Sequence, residues 1–118
     1  MDAQLKRGLI DICVLAAIRE EDSYGYRINR SMVDLTNGRY ELKEATLYTA
    51  FRRLEEAGYI RSYWGDESTG ARRRYYAITP DGRSAYASMM REWREASGLL
   101  EKLMRFGSED AASDTEQI

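Results

Sequence analysis

Apolar side chains recur at helical spacing from the start of the chain: Leu5, Leu9, Ile12, Cys13 and Ala16 fall at steps of three and four, which predicts a helix over residues 4–19. Ile10, Val14 and Leu15 widen the apolar surface beyond one stripe, so this helix is expected to be buried on two sides, by its own domain and by a second subunit. A second helix is predicted over about 24–36, where Tyr24, Ile28, Met32 and Leu35 repeat, with Asp22-Ser23 as cap and Asn37-Gly38 as stop. A third, over about 44–57, sets Leu47, Phe51 and Leu54 on one face and closes at Gly58.

After Gly58 the pattern turns β-prone. Tyr59 to Trp64 and Arg74 to Ile78 flank the polar stretch 65–70, which predicts a β-hairpin packed on the helices, since two strands alone are marginal in water. Thr79-Pro80 then opens a long helix over 80–106, Thr79 capping and Pro80 at the first helical position, where its missing N–H costs nothing. Tyr86, Trp93 and Leu100 stand seven apart along it, as do Met89, Ala96 and Leu103, and Met90, Ser97 and Met104. That heptad seam spans about 40 Å at 1.5 Å per residue, longer than so small a domain covers from within, so a partner helix is expected on it. The fold class expected is mainly α with a small β-hairpin: a domain over 1–79 whose helices suit a helix-turn-helix, a long C-terminal helix over 80–106, and a disordered acidic tail over 107–118.

Composition narrows the function classes. The 118 residues, 43% hydrophobic and 32% charged, suffice for one domain with a modest core. No apolar run approaches the ~20 residues of a membrane helix, and residues 1–20 lack a small-residue cleavage site, so the cytoplasm is the expected location. Cys13, the single cysteine, sits inside the apolar run 9–15 and reads as a core thiol; it allows neither an intrachain disulfide nor a multi-cysteine metal site. The absence of histidine removes the commonest general base and metal ligand, and no carboxylate pair has a persuasive spacing. The chain is therefore not read as an enzyme, and neither cofactor nor metal is expected.

Net charge is −2, but the acids are unevenly placed. The segment 107–118 holds Glu109, Asp110, Asp114 and Glu116 and no basic residue, leaving 18 basic against 16 acidic residues in 1–106. The basic groups that matter are clustered. Arg72-Arg73-Arg74 on the second hairpin strand can grip phosphates or enter a minor groove; the same run also serves as a solvated edge that blocks strand pairing. On the third helix, Lys43 and Glu44 stand at the entrance, and Thr46, Thr49, Arg52 and Arg53 are expected to point away from the Leu47, Phe51, Leu54 face. Short hydroxyls and long cations there suit base edges and phosphates in a major groove, whereas Glu55 and Glu56 restrict the approach to the first half of the helix.

Three ordered motifs, Tyr24 to Ile28, Ala45 to Ile60 and Arg72 to Gly82, resemble the PadR family of transcriptional regulators over about residues 5–105. The resemblance implies a winged helix-turn-helix regulator of the short subfamily, a homodimer through one C-terminal helix, binding double-stranded DNA and usually repressing nearby genes. It implies that Tyr48 and its neighbours face DNA, together with the wing carrying Arg72, Arg73 and Arg74. Many members have proline after the tyrosine of the Leu-Tyr pair where this chain has Thr49, which frees another side chain for DNA. Some small relatives place a tryptophan at the dimer centre, where flat aromatic ligands stack; Tyr86, Met89, Met90 and Trp93 are the residues that would wall a pocket for a small aromatic effector, or simply pack in the seam. Tyr75 and Tyr76 are read as structural, and Trp64 as packed under the wing. The rival reading is a winged helix kept as a protein- or small-molecule-binding module, for which three consecutive arginines have little use.

Overall fold

The structure, a computed structural model, describes residues 2–65 and 72–116, with side chains through residue 106. Its elements are α1 (Ala3–Ala17), β1 (Ser23–Tyr24), α2 (Gly25–Leu35), α3 (Glu44–Glu56), β2 (Ile60–Trp64), β3 (Arg74–Ile78) and α4 (Pro80–Glu116). The chain falls into two compact units, Met1–Ala87 and Ser88–Ile118.

The core of the first unit lies where α1, α2 and α3 meet the sheet. Ile10, Val14, Leu15 and Ile18 come from α1 and its cap, Ile28 and Met32 from α2, and Leu47, Ala50, Phe51 and Leu54 from α3. Phe51, 2% exposed, stacks on Tyr76 of β3 with ring centroids 3.8 Å apart, so the centre of α3 is held directly by the sheet. Full burial of such a side chain contributes about 1.5–3 kcal/mol. The third helix and both strands thus arise as the apolar spacing predicts.

The domain core covers one side of the wide apolar surface of the first helix. Ile10, Val14, Leu15 and Ile18 enter the core, while Leu5 is 45% exposed, Leu9, Ile12 and Cys13 are half-buried and Ala16 is exposed. Asp2 starts α1 by accepting from the Gln4 and Leu5 N–H groups at 2.9 and 3.2 Å. The expected hairpin is a three-stranded antiparallel sheet in the order β1-β3-β2. Ser23 and Tyr24 pair with Tyr76 and Tyr75, so Ser23 is a strand residue and not the helix cap expected of it; Tyr24 occupies the cap position without a side-chain bond. On the other side β2 runs from Ile60 opposite Ile78 to Trp64 opposite Arg74. The tip residues 66–70 lie outside the described residues.

Helix ends follow the predicted chemistry more closely. Asn37 and Gly38 take φ of 54° and 78° after α2, and Gly58 takes 81° after α3. Thr79 Oγ1 accepts from the Gly82 N–H at 2.9 Å and donates to the Gly58 carbonyl at 2.7 Å, tying the start of α4 to the end of α3. A Cβ on Gly82 would stand 2.0 Å from the Tyr59 carbonyl oxygen, so only glycine fits this junction.

The helix α4 continues ten residues past the expected boundary at 106, to Glu116. The stretch from Gly107 contains no proline, two alanines and several residues that helices tolerate, so nothing in its backbone chemistry enforces the expected end. Leu99, Leu100, Leu103, Met104 and Phe106 are all more than half exposed on it. Among the described residues no helix is long and apolar enough to cross a membrane.

Candidate nucleic-acid interface

The orientation of α3 is set before it begins. The Asn29 carboxamide on α2 donates to the Leu42 carbonyl at 2.8 Å and accepts from the Leu42 N–H at 3.0 Å, while Leu42 itself is buried. This two-way clamp delivers the chain to Lys43, the residue preceding the first turn of α3. With Leu47, Ala50, Phe51 and Leu54 turned inward, Ala45, Tyr48, Thr49 and Arg52 are exposed and Thr46 is half-exposed. Thr49 Oγ1 donates to the Ala45 carbonyl at 2.8 Å.

Arg53 differs from the expectation that it points outward. It reaches back to α1 and makes an ion pair with Asp11, one guanidinium nitrogen meeting Oδ1 closely while Nε donates to Oδ2 at 3.4 Å. The two side chains are only 32% and 15% exposed, which makes this pair a docking contact between α1 and α3.

Tyr48 lies at the edge of α3 nearest the sheet. Its hydroxyl would be 3.3 Å from a Cβ on Gly25, so the bare start of α2 leaves it room, and its ring meets Phe51 edge-on at 5.6 Å. Beyond it opens a cleft of about 380 Å³ walled by Tyr24, Tyr26, Tyr48 and Trp64 and rimmed by Arg72, Arg73 and Arg74. The arginines rest on aromatic faces: Arg72 and Arg74 over Trp64 at 5.6 and 5.7 Å, Arg73 over Tyr24 at 4.7 Å. Such stacking holds a guanidinium plane in place. Trp64, expected under the wing, is instead 52% exposed and acts as the platform, because its position at the strand end puts it opposite Arg74.

A polar relay ties this wing to α3. Arg74 donates to Ser62 Oγ at 2.7 Å, and Ser62 donates to Glu55 at 2.8 Å. Glu55, expected only to repel phosphate, thus also anchors β2 to the far end of α3. The Tyr63 hydroxyl donates to Asp22, which raises its pKa above the ordinary phenol value. Tyr76 is buried and Tyr75 half-buried between Tyr24 and Tyr63, consistent with their structural reading.

The candidate effector residues lie on α4. Tyr86 accepts a hydrogen bond from Arg19 at 3.2 Å, Met89 and Met90 are half-buried, and Trp93 is 40% exposed. Cys13 is a free, half-buried thiol whose pKa is pushed up by burial, so little thiolate forms at neutral pH.

Two helices joined by a clamped turn, the second presenting a polar outward face, followed by a basic wing, define a winged helix-turn-helix. Residues 14–88 match the transcriptional regulator PadR-like family, and the chain belongs to that family. A protein of Lysinibacillus sphaericus is 40% identical over 98 residues, 83% of this chain and 90% of its own. The structure of a transcriptional regulator from Clostridium thermocellum is 41% identical with a TM-score of 0.77, covering 86% of this chain and 96% of its own. A PadR family transcription regulator from Clostridium difficile is 31% identical with a TM-score of 0.69, covering 80% and 97%.

Proposed function

We propose that this protein is a cytoplasmic, sequence-specific repressor that binds double-stranded DNA as a homodimer. The observation that carries the reading is the pairing of an outward α3 face, bearing Thr46, Tyr48, Thr49 and Arg52 behind Lys43, with arginines 72–74 set on aromatic platforms beside it. The α3 residues read base edges in the major groove, and the wing arginines hold the backbone or the adjoining minor groove. Two copies place their α3 helices in successive major grooves about 34 Å apart on an approximately palindromic operator, and repression follows from promoter occlusion.

Two apolar surfaces support the second copy: the Leu5, Leu9, Ile12 and Cys13 face of α1, which the domain leaves partly uncovered, and the heptad residues Trp93, Leu100, Leu103 and Met104 of α4. A small aromatic effector stacking at Tyr86, Met89, Met90 and Trp93 releases the protein by favouring a dimer whose recognition helices are mis-spaced, since affinity depends on both half-sites engaging together. The test is a fluorescence-anisotropy titration against the duplex upstream of its own gene, with a scrambled duplex as control, at two salt concentrations. Binding that weakens steeply with salt and favours the upstream duplex by roughly a thousandfold is expected; absence of binding even at low salt sinks the proposal.

A further inference from the structure

A recognition helix is about 10–12 Å across with its side chains, and the major groove is about 12 Å wide, so a helix seated there meets a sugar-phosphate backbone on each flank. The wing lies along one flank of α3, at Tyr48. The opposite flank, at Thr46, Thr49 and Arg53, is bordered by the first two turns of α1 across a cleft of about 340 Å³ into which Lys6 and Arg7 face. Both cations are exposed, and neither has an acidic partner among the described ion pairs. The nearby acids are otherwise engaged: Asp11 holds Arg53, and Asp2 caps the α1 backbone. Lys6 and Arg7 therefore bring uncancelled positive charge to the one side of the recognition helix that the wing does not reach.

We propose that the start of α1 is a second phosphodiester-binding site, with Lys6 and Arg7 gripping the DNA strand on the groove wall opposite the wing. Neither residue figures in the wing or the α3 surface, and the inference rests on the proposed DNA binding. It gives α3 a fixed depth and tilt, because a helix held from one side only can roll in the groove, whereas backbone contacts on both walls define its register. It also makes α1 a bifunctional element: its basic N-terminal end faces DNA while Ile12 and Cys13, further along, lie on the face offered to a second copy.

The experiment compares full-length wild type, Lys6→Gln/Arg7→Gln, the charge-keeping Lys6→Arg/Arg7→Lys and, as a wing control, Arg72→Gln, by anisotropy over a salt series on the upstream and scrambled duplexes. The double neutral variant is expected to lower the slope of log affinity against log salt by about 3.6 for the bound dimer, roughly 0.9 for each of the phosphates that Lys6 and Arg7 of the two copies no longer neutralise. Its affinity for both duplexes should fall by the same factor, and the charge-keeping variant should restore the slope. Duplexes with single neutral methylphosphonates locate the contact: positions that weaken wild type but not the double neutral variant should lie on the strand opposite those found with Arg72→Gln. A wild-type slope in the double neutral variant beside a reduced one in Arg72→Gln overturns the α1 site and leaves the regulator reading standing. Wild type that binds neither duplex at low salt overturns both.

Discussion

The ion pair between Asp11 and Arg53 fixes α3 to α1, and its strength can be bounded from its surroundings. Exposed pairs contribute about 0.2–1 kcal/mol, and breaking a fully buried pair by removing one partner costs about 3–5 kcal/mol. With side chains 15% and 32% exposed, this pair falls between, and Asp11→Asn, which keeps the shape and strands the guanidinium, is expected to cost about 2 kcal/mol. For a domain of this size that corresponds to a fall of about 10 °C in Tm. Arg53→Met should cost a similar amount, but the double variant should be less destabilised than the two losses added together, with a coupling of about 1–2 kcal/mol. Urea unfolding of the four proteins at one protein concentration measures it, concentration being fixed because the stability of the proposed dimer depends on it.

The same set separates docking from DNA contact. Were Arg53 a phosphate ligand, Arg53→Met would lower the salt slope of binding by the proposed dimer by about 1.8, roughly 0.9 for each copy, at a temperature where the variant is folded. An unchanged slope is expected. Losses below about 0.5 kcal/mol that simply add, or a slope that falls, would refute the assignment of Arg53 to docking.

Other expectations follow from the wing, the seam, the α4 junction and the sheet. Arg73→Ala or Arg74→Ala should weaken binding to every sequence alike and flatten the salt dependence; unchanged binding in both removes the wing from the interface. Trp93→Ala should shift the monomer–dimer equilibrium in sedimentation or abolish any aromatic ligand response, and if it does neither, the seam is wrongly placed. Gly82→Ala, which thrusts a Cβ to 2.0 Å from the Tyr59 carbonyl oxygen, should destabilise the first unit by about 3 kcal/mol in urea unfolding, and a neutral effect would disprove the tight junction. Burial raises the Tyr76 pKa above 10.0 despite the opposing pull of Arg74, so above that pH the unfolded chain releases a proton that the folded chain retains. Stability should therefore fall as pH rises from 10 to 11, with a shallower fall in Tyr76→Phe; equal falls in the two proteins would exclude Tyr76 as the source.

What could be read from the sequence is what local spacing determines. The outward set on α3 needed only the positions of Leu47, Phe51 and Leu54, because a helix of known inner face has a known outer one. The wing arginines, the Thr79-Pro80 start and the glycine stops are equally local. What escaped depends on residues far apart in the chain. β1 is two residues long, too short for any alternation to register, and it exists because Tyr75 and Tyr76 offer it an edge fifty residues later. Arg53 looks like any cation on a polar face until Asp11, 42 residues earlier, is placed beside it.

The first helix shows that an excess of apolar positions carries information of its own. Its apolar positions exceed what one face holds, and periodicity cannot say which subset meets the domain core. The α2–α3 pair packs on Ile10, Val14, Leu15 and Ile18, leaving Leu5, Leu9, Ile12 and Cys13 incompletely covered. The surplus that made the inner face ambiguous is therefore the same surface that the proposed dimer assigns to a second subunit. Because Asp11 lies on the core side of α1 and holds Arg53, a shift of α1 is transmitted directly to α3. In the proposed dimer this gives an effector a short route to DNA affinity: moving α1 by a fraction of a helical turn displaces both the α3 anchor and the basic pair Lys6 and Arg7, and each loss weakens the grip on both half-sites together.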